Sequence, residues 1–259
     1  KNESKITASI SQLDGEKIEK FSFKNKEEIE KAISNIKTKK FNITDISSKV
    51  VSRNPSGPFT TSTLQQVASS RLGFGASRTM QIAQKLYQGI EIEGDTVGLI
   101  TYMRTDGTNL SADAVSDFRN FIKKEYGNEY MPKNPNNYSG KKAKNAQEAH
   151  EAIRPTDINR NPESVKKYLS SDQQKLYSLI WSRALSSQME TAKFDRNTIT
   201  IESEDGKTIC KSSGSVLKFD GFLKVYSNQS KDDDEQILPE MSKGPINIEA
   251  LIDEQHFTQ

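Results

Sequence analysis

Cysteine is almost missing: Cys210 stands alone in 259 residues, so the chain can build neither an internal disulfide nor a cysteine-rich zinc site. A reducing, cytoplasmic setting is expected for such a chain. Long apolar runs are missing too. None approaches the ~20 residues a membrane-spanning helix needs, and no basic-then-apolar leader opens the sequence. No internal repeat is visible. Of the two histidines, His150 has no second histidine at ligand spacing, so no zinc centre is expected there. Net charge is small, +2 from 37 basic and 35 acidic residues, and selects no class of partner. Hydrophobic residues make up 33% and mean hydropathy is −0.75, polar yet compatible with a folded core. Acids are locally absent: between Thr61 and Ile90 the only charges are Arg71, Arg78 and Lys85, and a second acid-free stretch carries Lys133, Lys141, Lys142 and Lys144. Phosphate contact and plain solvation both fit these cations.

The pattern along the chain is β-rich at both ends and helical between. Ile6, Ala8 and Ile10 alternate with polar residues before a turn at Asp14-Gly15. Asn25 with Glu28 reads as a capping box opening a helix through Ile29 and Ile36. Phe41–Val51 returns to strand, and Asn54–Pro58 is a break and candidate hinge. Ser62 with Gln65 and then Ser77 are expected to cap two helices around Gly73–Gly75, a helix-turn-helix of CAP-like shape with Met80, Ala83, Leu86 and Tyr87 inward. A central strand should follow at Val97–Thr101. Ser111 caps a helix ended by Gly127. Ser171 and Gln174 open a long helix to about Met189, with Trp181 in the core. Strands resume at Thr198–Ile201, with hairpin turns at Asp205-Gly206 and Asp220-Gly221 and a last strand at Ile246–Ile252. Asp232–Glu235 reads as a solvated acidic loop. The expected class is α+β and multidomain: a discontinuous β-rich domain (1–60 and 190–259) with a mainly α-helical domain (61–189) inserted.

Tyr102 and Arg104 lie two apart in Ile100-Thr101-Tyr102-Met103-Arg104-Thr105-Asp106. In extended backbone that spacing puts both side chains on one face. A phenol beside a guanidinium suits attack on a phosphodiester, the phenol as nucleophile and the guanidinium holding phosphate oxygens. Composition alone also allows an ordinary amphipathic strand. Further on, a short helix ended by Pro155 would bring His150 and Arg154 to one face, where they could meet a phosphate or simply form a surface turn.

The string Ile100–Asp106 with Thr108-Asn109-Leu110-Ser111 closely resembles the active-site tyrosine segment of type IA DNA topoisomerases. Pro58–Gln66 and Gln147–Pro155 are similar to two further stretches of that family, so the resemblance runs over nearly the whole chain. Met103 matches the bacterial topoisomerase I branch. Gly107 departs from the pattern, since many members carry Ser there. The resemblance implies a β arch domain and a helical domain bearing a nucleophile at Tyr102, with Arg104 as its catalytic partner. It implies DNA binding by His150, and with it Arg104, Arg154, Arg71 and Arg78 are the candidate DNA contacts. Relaxation of negatively supercoiled DNA through a 5′-phosphotyrosine intermediate on single-stranded DNA is implied, with no nucleotide consumed. Magnesium would be held by a Toprim domain, whose Asp-x-Asp-x-Glu-Gly run this chain does not contain. A start at Lys1 points to a fragment needing the Toprim domain of the same full-length chain as partner, inactive alone, with no membrane partner. A non-catalytic single-stranded DNA-binding module using Tyr102 for base stacking is the alternative.

Overall fold

The structure, a computed structural model, describes residues 5–19, 21–138, 151–227, 238–239 and 241–252. His150, Lys141, Lys142, Lys144 and the acidic run 232–235 lie outside the described residues.

The first unit comprises Lys1–Val51, Phe194–Lys218 and Gln229–Gln259. Its sheet draws on β1 (Ser9–Leu13), β2 (Glu16–Lys17), β3 (Phe41–Arg53), β6 (Ala192–Ser203), β7 (Ile209–Phe219) and β8 (Gly244–Ile246), in the order β2-β1-β7-β6-β3-β8. Asp14-Gly15 makes the β1–β2 hairpin, with Asp14 (φ 50°) and Gly15 (φ 91°) both in the left-handed region that such a turn requires. Helix α1 (Lys26–Lys37) is capped by Asn25, whose side chain accepts from the Glu28 N–H. It sets Ile36 against Phe41, Ile43, Ile199 and Ile201, the core of this unit. The last strand ends at Ile246; Asn247–Ile252 form no ladder.

The second unit comprises Ser52–Lys193 and Phe219–Asn228. It contains α2 (Thr61–Leu72), α3 (Ala76–Gln88), the hairpin β4 (Ile90–Ile92) and β5 (Asp95–Val97), α4 (Ala112–Glu125), the short α5 (Pro162–Val165) and α6 (Ser171–Ser187). Leu176, Tyr177, Ile180, Ala184 and Leu185 make α6 the buried spine, against which α2 and α3 pack through Leu64, Ala68, Ala83 and Leu86. Trp181 is core, its indole N–H donating to the Ile158 carbonyl at 3.0 Å.

Several expected boundaries move. The cap of α2 is Thr60 with Thr63, not Ser62 with Gln65. Phe59 is fully buried and pairs with Ile153, so the chain stays extended through it and turns only afterwards. The cap of α6 is likewise Ser170 with Gln173, one residue earlier than expected. Helix α3 starts behind Gly75 with no side-chain cap, because buried Phe74 pins the turn; Ser77 lies inside the helix. Tyr87 points out, while Thr79 and Ile82 point in. The hairpin expected at Asp220-Gly221 is a 3-10 helix, Gly221–Lys224. Phe222 and Tyr226, four apart, both bury, and the Tyr226 N–H donates to the Phe222 carbonyl at 3.0 Å, a helical turn where a strand was expected. The Phe222 N–H donates to the Glu190 carbonyl and the Tyr130 hydroxyl to Asp220, both in the second unit. The break at Asn54–Pro58 also belongs there, and it is tied down. The Tyr138 hydroxyl shares its proton between the Pro55 and Ser187 carbonyls, at 3.1 and 2.9 Å, and Arg183 Nε donates to the Gly57 carbonyl at 2.7 Å.

Candidate active site

The segment Gly98–Ser111 is a loop rather than a central strand: β5 ends at Val97 and pairs only with β4. Past Gly98 its backbone groups go to three different neighbours, which leaves no regular ladder. The Leu99 N–H donates to the Leu86 carbonyl at the end of α3, at 2.8 Å. The strip Glu151–Thr156 takes the next residues: Thr101 N–H donates to the Arg154 carbonyl (2.9 Å), Thr101 Oγ1 to the Ala152 carbonyl (2.7 Å), and Thr156 N–H to the Leu99 carbonyl (3.0 Å). That strip is extended, with bridges to Phe59, Ile100 and Asn109, so the helix expected to carry Arg154 does not form. Its peptide groups are drawn into the loop instead.

The first turn of α2 holds the other side. Thr61 Oγ1 donates to the Met103 carbonyl at 2.8 Å and accepts from the Thr105 N–H at 2.8 Å, while the Thr61 N–H donates to the Thr105 carbonyl at 2.9 Å. Exposure therefore alternates: Met103 (1%) and Thr105 (8%) are buried, whereas Tyr102 is 47% exposed and Arg104 is exposed. The alternation expected of a strand is present without the strand. The Tyr102 hydroxyl and the Arg104 guanidinium have no hydrogen-bond or ionic partner among the described residues. The Tyr102 ring meets Tyr87 edge-on, centroids 5.3 Å apart at 66°. Gly107 N–H donates to Thr105 Oγ1, so the position that departs from the family pattern serves through its backbone.

The other candidates are placed differently. The Arg154 side chain is only 14% exposed and binds Glu151 through two nitrogens, Nε to Oε1 at 2.6 Å and Nη2 to Oε2 at 3.1 Å. Burial pushes the Glu151 carboxyl up, but Arg154 and the Ser111 N–H outweigh it and hold the carboxyl below its usual range. Arg78 is paired with Asp172 at 2.6 Å and lies over the Phe74 ring, and Arg71 lies over the Tyr226 ring. Neither joins the tyrosine loop. Nothing in the residue type or spacing of Thr61, Thr101 and Glu151 marks them as parts of this site. Thr61 and Glu151 stand inside the family-like stretches Pro58–Gln66 and Gln147–Pro155, the one signal that could have found them.

No three His, Cys, Asp or Glu side chains converge as a metal donor set among the described residues. No helix among the described residues is long and apolar enough to cross a membrane.

The family model for DNA topoisomerase matches residues 2–259. DNA topoisomerase 1 of Rickettsia felis is 43% identical over 262 residues, covering 100% of this chain and 34% of the relative. The Rickettsia prowazekii protein of that name is 45% identical, with coverage of 100% and 34%. The chain thus spans about a third of the length of the curated relatives it matches. Full-length topoisomerase I from Thermotoga maritima superposes with a TM-score of 0.72 at 35% identity, over 93% of this chain and 37% of the other.

Proposed function

The chain belongs to the bacterial type IA DNA topoisomerase family, and we propose that it carries the strand-cleaving tyrosine of a longer enzyme that relaxes negatively supercoiled DNA. The phenolic oxygen of Tyr102 attacks a phosphodiester of single-stranded DNA. The tyrosine–phosphorus bond forms, the bond from phosphorus to the 3′ oxygen breaks, the phenol's proton leaves and the 3′ oxygen takes one up. The 5′ phosphate stays on the protein. Arg104 meets the charge that grows on the phosphoryl oxygens. After another strand has passed, the 3′ hydroxyl attacks the phosphotyrosine and restores the original linkage. One phosphodiester replaces another, so no nucleotide is consumed.

The observation that supports this best is the contrast within the loop. Thr101, Met103 and Thr105 are committed to backbone bonds or burial, while the phenol and the Arg104 guanidinium stand outward and unbound among the described residues. Magnesium belongs, on this reading, to a Toprim domain elsewhere in the full-length chain, and this chain alone does not cleave. Tyr102→Phe in the full-length protein removes one exposed hydroxyl. It should abolish covalent adduct and plasmid relaxation while leaving thermal unfolding unchanged; a Phe variant that still relaxed plasmid would overturn the assignment.

A further inference from the structure

We propose that Tyr87 is a positioning residue for the Tyr102 phenol, an inference that rests on Tyr102 being the nucleophile. The Tyr102 side chain is nearly without support. Its hydroxyl has no partner among the described residues, its flanking residues Thr101 and Met103 are turned into backbone bonds and core, and half its surface is open. An exposed tyrosine so placed would spread over three staggered χ1 wells. Among the described residues the one aromatic ring against it is Tyr87, in the edge-to-face arrangement that aromatic quadrupoles favour.

Tyr87 can act as a fixed wall because its helix end is locked to the loop. It sits in the last turn of α3, directly after fully buried Leu86. The Leu86 carbonyl takes the Leu99 N–H at 2.8 Å, three residues before Tyr102. Gly98 lets the two backbones close: a Cβ there would lie 2.7 Å from the Tyr87 carbonyl oxygen. The Tyr87 ring is 40% exposed and leaves the core to its neighbour Leu86. Its edge-on contact removes orientations of the phenol that point away from a bound phosphate. A nucleophile confined before substrate arrives reacts faster without binding substrate more tightly.

The test uses the full-length protein and a labelled single-stranded oligonucleotide with magnesium, with single-turnover adduct formation and anisotropy binding measured on each variant. Tyr87→Ala should slow adduct formation about 3- to 10-fold at saturating DNA, about threefold for one rotamer well opening to three and up to about tenfold with the lost aromatic pair. Its DNA affinity should stay unchanged. Tyr87→Phe, which keeps the ring, should recover the parental rate within about twofold. A parental rate in the Ala variant, or a loss confined to affinity, overturns the role; so does a Phe variant as slow as Ala. Tyr102→Phe run alongside separates the two claims: adduct lost there with Tyr87→Ala at parental rate sinks this inference alone, whereas adduct persisting there sinks the nucleophile assignment beneath it.

Discussion

Arg104 stands outward between Met103 and Thr105, which turn inward, and its guanidinium has no partner among the described residues. Removing it should therefore leave the fold within about 0.5 kcal/mol of the parent in urea unfolding. Its proposed charge is one that appears only during cleavage, so Arg104→Ala should slow adduct formation more than it weakens DNA binding. Equal losses in the two measurements would reduce Arg104 to a phosphate clamp. Glu151 is the opposite case, a carboxylate spent on structure. It holds a mostly buried guanidinium and also accepts from the Ser111 N–H at 2.8 Å. Its folded-state pKa is depressed, so its contribution is present above the free carboxylate value of roughly 4.3 and is lost as pH falls through and below it. Glu151→Gln should cost about 1–3 kcal/mol at pH 7, and the parent should lose more stability than the variant between pH 7 and pH 3.5. Parallel pH curves would remove Glu151 from the acid response. The sequence shows Tyr102 and Arg104 because a two-residue spacing is local. It could not show Arg154 taken by Glu151, because the same five residues read equally well as a helix. Only the pairing of Ala152 with Asn109 and Ile153 with Phe59 decides the matter.

Helix α2 does two jobs at its first turn. Thr60 caps it, and Thr61 reaches across to the tyrosine loop with one hydroxyl that donates and accepts. Thr61→Val keeps the shape and removes both bonds, leaving the partly buried Thr105 N–H without its acceptor. A loss of about 1–3 kcal/mol follows, with slower adduct formation since Met103 and Thr105 stand on either side of Arg104, beside the proposed nucleophile. Full activity in a destabilised Thr61→Val protein would show that the clamp serves the fold alone. Gly221 tests another element boundary. Its φ is 48°, and a Cβ would lie 2.5 and 2.6 Å from the carbonyl oxygens of Glu190 and Thr191. Gly221→Ala should therefore lower the melting temperature sharply, while Gly206→Ala, with open space around it, should act only through its φ of 68°. Helix existence was plain from apolar spacing, as in α4 and α6. Caps were misplaced where Thr60-Thr61-Ser62-Thr63 and Ser170-Ser171 offer neighbouring hydroxyls, since only the buried residue next door fixes where the chain turns. The 220–226 segment misled for a related reason: its Asp-Gly pair is a turn signal, but Phe222 and Tyr226 find a core that the local pattern does not contain.

At the scale of the whole molecule, charge is arranged differently in space than along the chain. The acid-free run from Thr61 to Ile90 meets Asp172 from α6, which takes Arg78. Glu151 takes Arg154, and Tyr226 lies under Arg71. Of the four arginines proposed for DNA, only Arg104 has no partner among the described residues. Net charge is +2, so no long-range field compensates. The chain by itself should therefore bind single-stranded DNA weakly. With roughly two or three phosphates neutralised, log affinity should fall with log salt at a slope of about −2, at ~0.7 per phosphate for single strands. A slope of about −4 would mean that the three paired arginines leave their partners and turn to the backbone. Cleavage is a separate matter, because on the proposed reading magnesium belongs to a Toprim domain and no three-donor cluster lies among the described residues. Incubating the chain with labelled single-stranded DNA and magnesium, then denaturing it, should give no adduct at any salt at which binding is measurable. An adduct on Tyr102 under those conditions would show that this loop cleaves without a Toprim domain, and the proposed division of labour between the two would have to be abandoned.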